Sequence, residues 1–318
     1  MRNLAALFAC GALAVAASVA VAADFPSKPL SIVVPFGPGG STDLVARVLA
    51  GEMSKVLGQS VIIVNKAGAG GIIGATEVAN ATKDGHTLGM LPVGPMTTQP
   101  NLRRVHYGPE SFDYICRVYS NPQIVLVRND SPFRTVADLV EYAKKNPGKL
   151  NYGSTGVGSV PHLAIVALAK ATGIDVFHVP HKGDTDELAS LLSGNIAMFV
   201  TSSTLLASHR DLVRALTLLA TSRLKEYPNL PTLAEKGGPA LSFDVWGGLV
   251  VPKGAPGPVI ASLENACRAG TSSAGFRAQL EALHTPVNYM DGKSFASFVA
   301  AEFERNGRLL RESGIQKE

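Results

Sequence analysis

Apolar residues recur along this chain in two alternating arrangements. Leu30–Pro35 (LSIVVP), apolar but for Ser31, has the length of a buried strand. Over Leu44–Leu57 the apolar positions Leu44, Val45, Val48, Leu49, Met53, Val56 and Leu57 fall at helical spacing. Val61–Val64 reads as a second strand, Ile72–Ala81 as a short helix and Thr87–Leu91 as a third strand. A second series begins at Gln123–Val127. It continues through a helix over Val136–Lys145, a strand at Leu150–Tyr152, a helix over Pro161–Thr172, a strand at Val176–Val179, a helix over Thr185–Ser193 and strands at Ala197–Val200 and Leu216–Ala220. Trp246–Val251 is one more strand, and the tail is helical over Pro258–Ala269, Ala274–Leu283 and Ser294–Glu312. Strands alternating with helices of this length predict βαβ units and mostly parallel sheets.

The pattern therefore predicts an α/β chain of two similar lobes, each a mostly parallel sheet flanked by helices. No Pro/Ser linker separates the series, so the chain is expected to cross between lobes twice, near 118–124 and 220–226. Residues 24–122 and 223–318 then form a discontinuous first lobe, and residues 123–222 the second. A length of 318 residues suits two such units.

The first residues do not belong to that pattern. Arg2 precedes an alanine-rich apolar stretch, Leu4 to Val21, and Ala20-Val21-Ala22 is a small-x-small cleavage pattern. Residues 1–23 read as a removable secretory signal rather than a membrane anchor, which places the mature protein outside the cytoplasm. A lipoprotein reading through Cys10 is poor, because almost no hydrophobic run precedes it. No later apolar stretch approaches 18 residues, so nothing else is expected to span a membrane.

Charge and cysteines narrow the class. The chain has 29 basic and 25 acidic residues, and residues 1–23 hold one Arg and no acid, so the mature balance is 28 − 25 = +3. The basic residues are scattered, which excludes a nucleic-acid partner. Cys116 and Cys267 remain after export; two distant cysteines in so long a chain read as separate buried thiols rather than a disulfide framework. Nothing suggests self-association, and a monomer is expected.

Candidate chemistry concentrates in two loops. Pro35-Phe36-Gly37-Pro38-Gly39-Gly40-Ser41-Thr42-Asp43 joins a strand to a helix. Adjacent glycines let backbone approach a ligand, Ser41, Thr42 and Asp43 suit a helix N-terminus, and free N–H groups there attract anions. An ordinary capped turn explains the same residues. Tyr152-Gly153-Ser154-Thr155-Gly156-Val157-Gly158-Ser159-Val160-Pro161-His162 mirrors it in the second series, with Pro161 in the first helical turn. One such loop per lobe offers donors to both ends of a small anion.

Other chemistries fit less well. Neither loop has the lysine of a phosphate-binding P-loop. Gly68-Ala69-Gly70-Gly71-Ile72-Ile73-Gly74 has its third glycine one position late for a dinucleotide fingerprint, and close helix–sheet packing explains it better. Ser154 and Ser159 lack the glycine of a nucleophile elbow. Ser159 and His162 can meet at i, i+3, but no third partner orients them. His178 and His181 have H-x-x-H spacing at a strand end with no further ligand, so neither a metal nor any cofactor is expected. Trp246 fits core better than pocket.

The ordered motifs resemble a known family, the solute receptors of tripartite tricarboxylate transporters, often called Bug receptors. The resemblance runs from Phe25 almost to the end. It is carried by Phe25-Pro26-Ser27-Lys28-Pro29, Val34-Pro35-Phe36 through Asp43, Gly68–Gly71, Asp84-Gly85-His86-Thr87-Leu88, Pro147–Leu150, Gly153–Ala164, Val179-Pro180-His181-Lys182-Gly183, Leu230–Glu235 and Trp246–Leu249. It implies a type II-like periplasmic-binding-protein fold with a two-crossing hinge. It implies a non-enzymatic function, capture of a small organic carboxylate held by loop backbone and hydroxyls. Its partners would be the membrane subunits of a tripartite tricarboxylate-type transporter; a signalling partner is the alternative, and a periplasmic hydrolase a remote one.

The candidate ligand-binding residues are accordingly Phe36, Gly39, Gly40, Ser41, Thr42 and Asp43 in the first loop, and Ser154, Thr155, Gly156, Gly158, Ser159 and His162 in the second. Gly94, Met96, Lys182, Gly183, Thr201 and Ser202 complete the set. Four departures from the family pattern bear on specificity. His181 stands where Tyr is usual, and Asp184-Thr185-Asp186 where small residues with Pro are usual. Ala197 and Thr201-Ser202 replace acids, which argues against an amino-acid ligand. Gly247 replaces an aromatic residue, which would open the pocket.

Overall fold

The computed structural model describes residues 25–313. The signal segment expected at 1–23, with Cys10, lies outside them. In the first half the apolar runs become β1 (Leu30–Val34), β2 (Val61–Asn65) and β3 (Thr87–Pro92), with β1 parallel to both of the others. Between them stand α1 (Ser41–Leu57) and α2 (Ile72–Ala79), followed by the short α3 (Gln99–Leu102). β4 (Phe112–Arg128) is a 17-residue strand, much longer than the five residues expected, and it leads into the second half.

That half contains α4 (Val136–Lys145), β5 (Leu150–Ser154), α5 (Val160–Thr172), β6 (Val176–Pro180), α6 (Asp184–Leu192), β7 (Met198–Ser202), α7 (Ser203–His209) and β8 (Val213–Leu219). The chain returns through β9 (Asp244–Pro252) and ends in α8 (Gly257–Ser272), α9 (Ala274–Ala282), β10 (Val287–Asp291) and α10 (Gly292–Ser313). The strands run β2-β1-β3-β9-β4-β7-β5-β6, with β8 and β10 also on β4. The N-terminal part of β4 pairs antiparallel with β9 and β10, and its C-terminal part with β7 and β8, so one strand belongs to both halves.

Each half is cored on both faces of its sheet. In the first, α1, α8 and α9 cover one face through Leu49, Met53, Leu263 and Phe276, and α2 and α10 cover the other around Trp246 and Phe295. In the second, α4 and α5 pack over Tyr152 and Val200, while α6 and α7 pack over Phe199 and Leu218. Helices on both faces of a sheet are the α/β arrangement the periodicity predicts, but the sheet is mixed rather than mostly parallel. β1 with β2 and β3, and β5 with β6 and β7, run parallel, whereas every pairing of β4 and β9 is antiparallel, because one long strand and its return serve both halves.

Two expectations are corrected here. Leu224, Tyr227 and Leu230 pack on the core beside β8, and Leu218 N donates to Pro231 O, so the chain stays with the second half until β9 begins rather than leaving it at 220–226. Cys116 and Cys267 are not separate thiols. They form a disulfide between β4 and α8, with Cα atoms 6.6 Å apart, and both lie in one core cluster.

Candidate functional site

A cavity of about 50 Å³ lies between the two halves, room for a few water-sized groups. Its first-half wall is the start of α1, with Phe36, Gly40, Ser41 and Thr42, and the end of β3, with Pro92, Val93 and Gly94. Its second-half wall is the turn into α5, with Thr155, Ser159, Val160 and Pro161, joined by Thr201 and Ser202 from β7. Asp184 at the head of α6 closes it, and Gln123 and Val245 line it from β4 and β9.

The two helix N-termini are built differently. α1 begins after Gly40, which has no side chain to cap it. Asp43 does not face the cavity: its carboxylate accepts from Gly39 N (2.9 Å), Arg47 Nε (2.8 Å) and Asn65 Nδ2 (2.9 Å). Burial opposes ionisation of Asp43, but those donors outweigh it and hold the carboxyl below the usual range. Asp43 is thus a brace for the loop. Thr42 Oγ1 meets Tyr119 OH at 3.0 Å. Of the two glycines, only Gly39 needs to be one, with φ +79°; Gly40 is extended at φ −75°.

α5 is capped by its own Ser159, whose hydroxyl accepts from His162 N at 3.4 Å. Ser154 lies beneath the turn, fully buried, with Oγ on Gly156 O (3.0 Å) and on His178 Nε2 (2.6 Å). His162 Nδ1 accepts from Gly158 N at 3.0 Å, so its ring is engaged by backbone and does not pair with Ser159. Burial and the neighbouring His178 push His162 down to about 3, and burial with His181 pushes His178 to about 4, so neither supplies a cation at neutral pH.

The structure therefore gathers nine of the eighteen sequence candidates on the cavity wall: Phe36, Gly40, Ser41, Thr42, Gly94, Thr155, Ser159, Thr201 and Ser202. The others do not line it. Gly39, Gly156 and Gly158 shape turns through positive φ. Met96 is core. Gly183 backs against Gly37, where a Cβ would lie 3.2 Å from its nitrogen. Lys182 is exposed, and its backbone nitrogen donates to Asp186. Gly247 does not open the pocket either; a Cβ there would lie 2.7 Å from the Tyr119 ring, so it makes room for Tyr119.

Trp246 is core, donating Nε1–H to Glu302 at 3.1 Å. Gln123, Val245 and Asp184 were missed. Asp184 had a signal, its departure from the family pattern, but nothing local placed it against α1. The Gly68–Gly74 run has two uses: Gly74 lies against Pro35, and Gly70 faces Gly156 of the second half, where a Cβ would lie 3.0 Å from Gly70 Cα. Among the described residues, no group of His, Cys, Asp and Glu side chains is arranged to hold a metal, and no helix is long and apolar enough to cross a membrane.

Comparison with known proteins places this arrangement. The family described as "Tripartite tricarboxylate transporter family receptor" matches residues 45–315. The structure of the periplasmic binding protein BugD is similar with a TM-score of 0.88 and 31% identity, over 92% of this chain and all of that one. MatC from Rhodopseudomonas palustris, solved with bound malate, gives 0.84 and 29% over 90% of this chain and all of that one. A second R. palustris protein, solved with adipate, gives 0.86 and 29% over 91% of this chain and 98% of that one. The α/β, two-lobed periplasmic-binding-protein fold is the fold of this chain.

Proposed function

Because this chain belongs to the tripartite tricarboxylate transporter receptor family, whose receptors are periplasmic solute-binding proteins, we propose that it captures a small carboxylate between its two halves and delivers it to the membrane subunits of such a transporter. The observation that carries the reading is the cavity with the starts of α1 and α5 on opposite walls. Backbone N–H groups at a helix start favour an anion without a cationic side chain, and no lysine or arginine is among the residues lining the cavity. Ligands of the malate and adipate kind in related proteins are of the chemistry such walls suit.

A receptor is favoured over a catalyst by the state of the nucleophile candidates. The Ser154 hydroxyl is fully buried and committed to Gly156 and His178, and Ser159 is committed to capping α5. An export signal at residues 1–23 fits delivery from the periplasm.

A thermal-shift screen of mono-, di- and tricarboxylates tests the proposal. A ligand at 100 times its Kd adds about 2.7 kcal/mol of stability. No stabilisation by any carboxylate, or conversion of the stabilising compound into a new one, would overturn it.

A further inference from the structure

One end of the cavity already holds a carboxylate that belongs to the protein. Asp184, from the second half, reaches across to the start of α1. Its Oδ2 accepts from Ser41 N at 3.0 Å and from Ser41 Oγ at 2.8 Å. The contact is braced on both sides: Thr185 Oγ1 donates to Pro38 O at 2.9 Å, and Gly183 packs on Gly37. α1 has no cap from its own segment, so Asp184 supplies both the missing acceptor and a negative charge at the positive helix end.

Two hydroxyls at that end are committed too. A serine hydroxyl has one proton; Ser41 gives it to Asp184 and so accepts from Ser202 Oγ, 2.6 Å away. Thr42 is taken by Tyr119. A ligand carboxylate placed there would therefore meet a like charge and find both Ser41 donors already given to Asp184. Like charges that close repel, and the more strongly as the closed cavity excludes water.

What this end does offer is acceptors. Gln123 is 1% exposed and lines the cavity; its Nε2 donates to Asn121 O at 3.3 Å, leaving Oε1 without a protein partner. Thr201, also 1% exposed on the cavity wall, has an unpartnered hydroxyl that can donate or accept, and it alternates with Ser202 along β7, on the other face of the strand. Gln123 stands directly across from Ser202 in the β4–β7 register, so the two side chains share a face, and Ser202 Oγ is the one that meets Ser41 of α1. The α5 side presents no carboxylate among the lining residues.

We propose that Asp184 makes this cavity polar end to end, so that the receptor selects a small monocarboxylate carrying a hydrogen-bond donor (amide, hydroxyl or ammonium) at its far end, and rejects the matching dicarboxylate. The carboxylate lies at the start of α5 and the donor faces Asp184 and Gln123 Oε1. This rests on the carboxylate-receptor reading and deepens it.

The test is calorimetry on the mature chain with matched pairs: succinate against succinamate, glutarate against glutaramate, adipate against adipamate. Each pair differs only by carboxylate against carboxamide. Wild type is expected to bind at least one monoamide tenfold or more tighter than its diacid, and Asp184→Ala to erase or invert that preference. Asp184→Asn, which keeps the acceptor and drops the charge, should shrink it. A diacid bound by wild type as tightly as its monoamide overturns the inference while leaving the carboxylate receptor standing, and needs no variant to fold. A preference unchanged in Asp184→Ala overturns it as well. Binding of no compound in either series sinks both readings together.

Discussion

Removing the Cys116–Cys267 disulfide should destabilise the first half of the protein and leave the cleft intact. The bridge closes a loop of 151 residues. In the loop-entropy description that loop removes about 17 cal/mol/K from the unfolded chain, or about 5 kcal/mol at 25 °C, and measured losses run at about 2–5 kcal/mol. Against a total stability of about 5–15 kcal/mol this is a large share. The closed loop contains the whole of the second half, from the end of β4 to the start of β9. The second half can therefore unfold while β4 and α8 stay folded, and that step gains nothing from the bridge. Only unfolding of the first half should feel its loss.

The sole tryptophan, Trp246, is 2% exposed in the first half and reports on that step. In Cys116→Ala/Cys267→Ala, its fluorescence transition in urea should shift by about 2–5 kcal/mol, and the thermal transition should fall by about 2–4 °C per kcal/mol. A fluorescence midpoint that does not move, or two titratable thiols in the unfolded but unreduced wild type, would refute the reasoning.

Two further outcomes follow from the loops. Gly156→Ala places a side chain at φ +119° and a Cβ 3.0 Å from Gly70 Cα across the cleft, so carboxylate affinity measured by calorimetry should drop about 10-fold or more for a cost of about 1–3 kcal/mol; affinity within twofold of wild type would contradict this. Burial and His178 depress His162, so its contribution to stability is present above its ordinary value of 6.5 and lost as pH falls toward about 3. Between pH 7 and pH 5 that is about 2 kcal/mol, and His162→Gln should flatten the urea stability profile over this range by a comparable amount; an equal loss in both proteins would show that His162 does not carry it.

What could be read from the sequence was what is local. Helical spacing at Leu49 and Met53 and the apolar run at Leu30–Val34 specify α1 and β1 through burial of one face or of a whole strand. The two glycine/hydroxyl loops stood out because turns and helix starts restrict residue choice at single positions. Pairings across long separations have no such signature. Cys116 and Cys267 meet only because α8 packs on β4. β10 escaped notice because three of its first four residues, Val287, Asn288 and Tyr289, are exposed and give no alternation. The late return at Asp244 was hidden because Leu224, Tyr227 and Leu230 pack as irregular chain with no helical or strand period. Asp43 was read as a ligand contact because a helix-start acid looks the same whether its acceptors serve a ligand or, as here, Arg47, Asn65 and Gly39.

Under the proposed function, the same interlobe contacts bear on how hard the ligand must work. Moving a two-state cleft from 1:99 to 99:1 takes a preference of about 5.5 kcal/mol for the closed form. Bonds between the halves contribute before any ligand does: Ser41 to Asp184 through N and Oγ, Ser41 to Ser202, Thr185 to Pro38 and Gln99 to Val157. Each has a net worth of about 0.5–1.5 kcal/mol, with the charged acceptor at the upper end. Their sum is of the same order as the switching preference, so Asp184 acts on affinity twice. It sets which ligand end is accepted beside α1, and it lowers the free energy the ligand must supply to bring α1 and α6 together. A variant that loosens the Asp184 contact therefore trades selectivity against closure, which is why its two effects must be separated by comparing ligands within a pair rather than by absolute affinity.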